Sequence, residues 1–181
     1  MTDRTIKRKK QVDQSTKWLV EGLLQLMERK NYSDITVQDI ATRAGLSRRT
    51  FYRHFDSINA LLLVEIKKVV LNLFDFLKKE KPQNFSELVV LFFIFWEQQK
   101  ILLELLNKNN LVPLLITELS KESTHSLLGE IFLEDDAYAY SFALGGISNL
   151  LTTWIKRGMV ESPMQLKGTA EEISNHLRNI L

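Results

Sequence analysis

The chain has 181 residues, of which 45% are hydrophobic and 25% charged, the composition of an ordinary globular protein. It contains no cysteine, so disulfide frameworks, thiolate zinc sites and cysteine nucleophiles are excluded. The N-terminus leads directly into charged residues, and the longest wholly apolar stretch, Leu88–Trp96, is about half the length that spans a bilayer. These features predict a cytoplasmic protein with no membrane association.

The net charge of +2 is unevenly distributed along the chain. Residues 1–55 contain 12 Lys/Arg and 6 Asp/Glu, a net charge of +6, whereas residues 56–181 contain 12 and 16, a net charge of −4. Residues 1–55, called the basic head below, are predicted to contact a polyanion. Residues 56–181, called the acidic body, are not predicted to make such a contact.

Helical periodicity dominates every long segment, and no segment has the alternation typical of a strand. An apolar stripe predicts a first helix over about residues 12–30, and Thr36–Asp39 has the form of a capping box that opens a short second helix. Gly45 and Ser47 supply a turn and an N-cap before a brief third helix over residues 48–54.

Longer helices are predicted in the acidic body, which makes the chain all-α. The apolar stretch Leu88–Trp96 covers much of its helix's circumference, which indicates burial on several sides. The predicted helices cover about residues 58–80, 85–107, 112–131, 135–157 and 162–179.

Two short helices joined by a glycine turn match the helix-turn-helix arrangement. Phe51 and Phe55, four residues apart, would bury one face of the third helix. The opposite face suits the major groove, where arginine pairs with guanine O6 and N7. The hydrogen-bonding side chains expected on that face are Arg48, Arg49, Thr50, Tyr52, Arg53 and His54.

The stretch Thr36–Phe55, TVQDIATRAGLSRRTFYRHF, resembles the N-terminal domain of TetR-type bacterial transcriptional regulators. The resemblance extends over about residues 12–61 and is carried by Ile-Ala-x-x-Ala-Gly-hydrophobic-Ser followed by Tyr-x-x-Phe. It implies an all-α homodimer with a helix-turn-helix DNA-binding domain and a basic N-terminal arm over residues 1–57. A helical ligand-binding and dimerisation domain would then occupy residues 58–181.

The same resemblance implies roles for individual side chains. Arg48, Arg49 and Thr50 would contact bases, and the contacts to phosphate would come from Thr36, Ser47, Tyr52 and His54. The family carries a lysine near the start of the fourth helix where this chain has Ile58. The basic N-terminus, with Lys9 and Lys10, is expected to compensate by following the DNA backbone or entering the minor groove.

In the body, Tyr140–Gly158 is similar to the penultimate helix of TetR-type proteins, which contributes to a four-helix dimer interface. The candidate interface residues are Phe142, Gly145, Gly146, Ile147, Leu150 and Trp154. Four aromatic residues earlier in the body either wall a ligand pocket or pack as ordinary core, and the sequence leaves both interpretations open. They are Phe92, Phe93, Phe95 and Trp96.

No catalytic motif is present, so we predict that the protein is not an enzyme and uses no cofactor. His125 and His176 lack metal-ligand spacing, and Glu134–Asp136 is interpreted as an acidic helix start rather than a metal site. The expected partners are double-stranded DNA, a second copy of the chain and a small-molecule effector of unknown identity. The predicted function is a ligand-responsive repressor on a palindromic operator, and the alternative is a co-regulator that acts through a protein partner.

Overall fold

The computed structural model describes the backbone of residues 3–123 and 137–180 and the side chains of residues 13–122, 138 and 141–172. In these ranges the chain forms nine α-helices and a 3₁₀ turn at Tyr32–Asp34, with no strand, which confirms the all-α fold. None of the helices in the same ranges is long and apolar enough to cross a membrane. The helices are α1 Asp3–Arg29, α2 Val37–Arg43, α3 Arg48–His54, α4 Ile58–Glu80, α5 Phe85–Glu97, α6 Lys100–Lys108, α7 Val112–Ser123, α8 Ala137–Lys156 and α9 Pro163–Ile180.

The chain divides into two compact units, Met1–Lys67 and Lys68–Leu181. The division falls inside α4, later than the boundary after residue 57 that the helix-turn-helix motif predicts. Helix α4 is continuous from Ile58, so it contributes its first turns to one unit and the remainder to the other.

In the first unit, α1 packs against α2 and α3, and these two short helices pack against each other. The apolar stripe of α1 supplies one side of this core, as its periodicity predicts. The most deeply buried side chains of these three helices are Leu19, Leu23, Met27, Ile40, Ala41 and Phe51.

A capping box and an ion pair hold the start of α2. The Asp39 amide donates to Thr36 Oγ1 over 3.1 Å, and the Thr36 amide donates to the Asp39 carboxylate over 2.8 Å, which confirms the predicted box. Lys30, just beyond α1, donates to the same carboxylate over 2.7 Å. The hydrogen bonds from Lys30 and Thr36 hold the pKa of Asp39 well below its usual range. The end of α1 is thereby tied to the first turn of α2.

Helices α1 and α2 approach each other most closely at Gly22. A Cβ atom built there would lie 3.3 Å from the carbonyl oxygen of Ile40 and 3.5 Å from the amide nitrogen of Ala44. Because both contacts are to backbone, no side-chain rotation can relieve them.

In the second unit, α5 packs against α9, and α8 packs against α6 and α7. The rings of Phe93 and Trp154 meet edge to face with centroids 5.2 Å apart. The indole N–H of Trp154 donates to the Glu161 carbonyl over 2.9 Å, which satisfies the polar end of this buried side chain.

The prediction of one helix over residues 85–107 is wrong. Helix α5 ends at Glu97, and the amides of Gln98 and Gln99 donate three residues back, to Phe95 and Trp96. If the helix continued without a break, residues 99 and 100, which are polar, would lie on the same buried face as Trp96. The break resets the phase of the apolar face, and α6 then buries Leu102, Leu103, Leu105 and Leu106.

One other helix boundary differs from the sequence prediction, and another lies outside the described residues. Helix α1 begins at Asp3, so the basic N-terminal residues belong to its backbone rather than to a separate arm. Residues 124–136 lie outside the described part of the chain. This range includes the predicted helix end near residue 131, as well as His125 and Glu134–Asp136.

We expect Gly22→Val to destabilise the protein by about 1–3 kcal/mol, because the added methyl groups press on the backbone of α2. Urea unfolding of the variant and the wild type measures the change. Gly168→Ala in α9 is the control, since a Cβ there meets none of the described residues within 4 Å and alanine favours helix by about 1 kcal/mol. Unchanged stability in Gly22→Val would show that α1 and α2 do not need this close approach.

Candidate nucleic-acid interface

A tight turn joins α2 to α3. Gly45 has a φ of +67°, a left-handed conformation that glycine adopts without steric cost. The amide of Leu46 donates to the Ala41 carbonyl over 2.8 Å, and the amide of Gly45 donates to Thr42 over 3.1 Å. These bonds close the C-terminus of α2 and set the angle at which α3 leaves.

Ser47 caps the N-terminus of α3. Its hydroxyl oxygen accepts from the Thr50 amide over 3.1 Å and lies 3.0 Å from the Thr50 hydroxyl. Phe51 is fully buried and Phe55 nearly so, with ring centroids 5.9 Å apart. The cap and the two rings together fix which face of α3 is turned outward.

The outward face of α3 is basic and rich in hydrogen-bond donors. Arg48, Arg49, Tyr52 and Arg53 are exposed, and Thr50 is half-buried. The Arg48 guanidinium carbon lies 6.0 Å from the centroid of the Tyr52 ring, which is 52% exposed. The Arg48 guanidinium therefore lies at the outer limit of a cation–π contact with this ring.

The surroundings of His54, at the end of α3, favour its neutral form over its charged form. Its Nε2 atom lies 3.3 Å from Arg53 Nη2. Burial, and then the charge of Arg53, lower the pKa of His54 below its ordinary value. Because Arg53 has only donors, Nε2 is the acceptor in this contact and the ring proton is assigned to Nδ1.

The remaining predicted DNA contacts lie outside α3. Thr36 is exposed at the N-cap of α2, with its hydroxyl donating to Asp39 over 2.6 Å. A phosphate contact by this hydroxyl therefore requires that bond to be exchanged. The backbone of Lys9 and Lys10 belongs to α1, but their side chains are outside the described residues. The side chain of His176, which was not predicted to contact DNA, is also outside them.

The structure also shows contacts that sequence reasoning missed. Arg43 Nε donates to Gln25 Oε1 over 2.5 Å, which joins the exposed sides of α2 and α1. The Tyr32 hydroxyl lies 3.4 Å from Asn59 Oδ1, which connects the 3₁₀ turn to the first turn of α4. No periodicity or motif signals such pairs, since the partners are distant in sequence and joined only by the fold.

Within the described residues, the four aromatic residues proposed for a ligand pocket differ in their surroundings. Phe92 lines a small apolar cavity of about 20 Å³ between α4, α5, α7 and α8. Phe93 packs on Trp154, and Phe95 packs on Phe76 and Trp96. Of the four, only Phe92 borders that space.

The six residues proposed for a dimer interface separate onto two faces of α8. Ile147 and Trp154 are buried against the chain itself, with 4% and 2% of their surfaces exposed. Phe142, Gly145 and Gly146 are exposed, and Leu150 is half-buried between the two faces. Ile147 and Trp154 thus belong to the core of the chain itself, whereas the exposed residues of the set lie on its surface.

We expect acidification to destabilise the wild type more than a His54→Gln variant. Because the pKa of His54 is lowered in the folded state, the unfolded chain takes up its proton first as pH falls through about 6.5. Folding stability from this residue is therefore present above that pH and is lost below it. Urea midpoints at about pH 7.5 and about pH 5.5 measure the difference. An equal loss in both proteins would contradict the lowered pKa.

Comparison with known proteins identifies the N-terminal helices. The model of the family described as bacterial regulatory proteins, tetR family, matches residues 19–64, which extend from α1 into α4. A search of curated proteins found no match.

Solved structures share the fold at low sequence identity. A TetR transcriptional regulator from Streptococcus agalactiae is 22% identical, with a TM-score of 0.61 over 90% of this chain and 94% of that one. The TetR-family repressor AlkX from Dietzia is 17% identical, with a TM-score of 0.57 over 92% and 97%. The dihydroxyacetone kinase operon activator DhaS is 19% identical, with a TM-score of 0.53 over 92% and 97%.

These matches confirm the resemblance seen in the sequence. Residues 19–64 therefore match the bacterial regulatory proteins of the tetR family, and the chain shares the fold of solved TetR-type structures.

Proposed function

We propose that the protein is a repressor that binds a palindromic operator as a homodimer and leaves it when a small-molecule effector binds the body. The observation that carries this proposal is α3, where Phe51 and Phe55 are buried on one side while three arginines are exposed on the other. A short helix with one buried and one basic face suits insertion into the major groove.

On DNA, α3 acts as the recognition helix. Arg48, Arg49 and Thr50 contact base edges, because they occupy the N-terminal turn that enters the groove first. Contacts to phosphate position the helix and come from Ser47, Tyr52, Arg53, His54 and, after exchange of its bond to Asp39, Thr36. Lys9 and Lys10 add to the charge of the basic head.

The exposed face of α8 supports the homodimer. Glycine within a helix costs about 1 kcal/mol relative to alanine, and within the described residues nothing lies within 4 Å of a Cβ built at Gly145 or Gly146. The neighbouring side chain of Phe142 is 70% exposed and that of Tyr138 is 89% exposed. A second copy packed against this face accounts for both the small and the aromatic residues. A two-fold dimer reads half-sites about 34–36 Å apart or more, which requires a palindromic operator.

A second candidate function is a co-regulator that acts mainly through a protein partner. It is favoured by Ile58, which begins α4 where the family carries a lysine, and by the net charge of −4 on residues 56–181. One structural relative is described as a repressor and another as an activator, so the direction of regulation requires its own measurement.

We expect Arg49→Ala to lower selectivity at one base position of each half-site by about 1–3 kcal/mol. The measurement is selection of bound duplexes from a random pool, followed by titration of the selected operator at several salt concentrations. The matched control is Arg157→Ala, which removes the same charge from an exposed side chain in the second unit.

If Arg49→Ala and Arg157→Ala lowered base selectivity equally, the effect would come from the lost net charge alone. That result would overturn the proposed base contact of Arg49. Binding that barely changes with salt would contradict the phosphate contacts. If no duplex is selected while a specific partner protein is recovered, the co-regulator function replaces the repressor.

We expect Phe142→Glu to convert the dimer to a monomer, because a charge at the interface core would be desolvated. Sedimentation equilibrium of the full chain measures the oligomeric state. Ile101→Glu is the matched control, since Ile101 in α6 is also 70% exposed and lies on another helix. A dimer that survives Phe142→Glu, or that dissociates equally in Ile101→Glu, would overturn the α8 interface.

A further inference from the structure

Three donors converge on one oxygen of the Asp39 carboxylate. Lys30 Nζ lies 2.7 Å from Asp39 Oδ2, and the amide and the hydroxyl of Thr36 lie 2.8 Å and 2.6 Å from the same atom. The hydrogen bonds from Lys30 and Thr36 hold the pKa of Asp39 well below its usual range, so the carboxylate is charged at neutral pH. A negative charge therefore lies directly against the hydroxyl to which we assign a phosphate contact.

The Asp39 carboxylate is close enough to that hydroxyl to repel the DNA backbone. A phosphate oxygen bonded to Thr36 Oγ1 would lie within about 6 Å of Asp39 Oδ2, because Oγ1 is itself 2.6 Å from Oδ2. Two negative charges at this separation repel each other, and at about 0.1 M salt the screening length of about 10 Å exceeds the separation. Without a compensating charge, Asp39 would oppose the phosphate contact.

Lys30 is placed to compensate that charge. It directly follows α1, and its ammonium group contacts Asp39 Oδ2. The side chains of Lys30 and Asp39 are 32% and 35% exposed, so the pair lies at the surface that solvent and DNA can reach. When the Thr36 hydroxyl turns from Asp39 to a phosphate, Oδ2 keeps the Lys30 ammonium and the Thr36 amide as donors. The carboxylate thus remains hydrogen-bonded after the exchange.

We propose that Lys30 is a positioning residue for DNA binding, whose ion pair with Asp39 cancels the carboxylate charge and allows the Thr36 hydroxyl to exchange that carboxylate for a phosphate. Lys30 acts through Asp39 and does not itself touch a phosphate. The inference rests on the proposed operator binding, and it extends the interface to a residue at the end of α1.

Two variants that each remove the ion pair test this role. Lys30→Met leaves the carboxylate uncompensated and is expected to weaken operator binding about three- to tenfold per protomer at about 0.1 M salt. Asp39→Asn removes the repelling charge and is expected to bind at least as tightly as the wild type. The double variant is expected to bind within about twofold of the wild type. Fluorescence anisotropy titrations of the full chain with the selected operator measure these affinities.

The same variants distinguish two other roles of Lys30. If the ion pair were only structural, Lys30→Met and Asp39→Asn would weaken operator binding equally, because each removes it. If Lys30 contacted a phosphate directly, Lys30→Met would weaken binding as much in the Asp39→Asn background as in the wild type, and the salt slope would fall by about one. Either result would overturn the proposal.

Lys30→Arg and Lys17→Met are the matched controls. Arginine keeps the charge and can donate to the same carboxylate, so Lys30→Arg is expected to bind like the wild type. Lys17 lies in α1 with its side chain 68% exposed and its Nζ atom 3.9 Å from Glu21 Oε1. Lys17→Met removes an equal charge and is expected to change binding by less than about twofold. Equal losses in Lys17→Met and Lys30→Met would overturn the proposal, because net charge alone would explain them. Thermal midpoints of the same samples show that each variant is folded during the titration.

The titrations also separate failure of this inference from failure of the proposed function. If the wild type binds its operator while Lys30→Met and Asp39→Asn weaken binding equally, the role of Lys30 alone is overturned. If the wild type binds no duplex, the proposed operator binding and the role of Lys30 are overturned together.

Discussion

The orientation of the basic face of α3 depends on the burial of Phe51 and Phe55. A helix of seven residues is too short to be stable in isolation, so α3 exists because its aromatic side chains are packed in the first unit and its N-terminus is capped. Since these two rings occupy one side of the helix, Arg49 and Arg53 must project from another. The apolar core of the head therefore determines the presentation of its positive charge.

Helix α8 has three faces that differ in their surroundings. Ile147, Leu151 and Trp154 anchor it in the core, Ser148 borders the small apolar cavity that Phe92 also lines, and Phe142 with Gly145 and Gly146 lies on the exposed face. These faces alternate within a few residues of one rigid element.

Local signals in the sequence predicted local structure well. The capping box at Thr36, the turn at Gly45 and the N-cap at Ser47 each depend on neighbouring residues, and each is present in the structure. The break after Glu97 was missed because an apolar run masked a change of helical phase. Contacts such as Lys30 with Asp39, and the space beside Ser148, depend on how distant helices meet, and periodicity holds no information about that. The base and phosphate contacts of α3 remain predictions, because they require DNA.

The continuity of α4 has a consequence for how such a chain can change during evolution. The boundary between the two units lies within this helix, after Lys67, rather than in a loop. Loops tolerate insertions and deletions, but a single residue added to a helix turns every later side chain by about 100° about the axis. Exchange of the second unit between relatives must therefore preserve the helical phase of α4. Recombination at this junction is restricted to events that keep its residue count or change it by nearly whole turns.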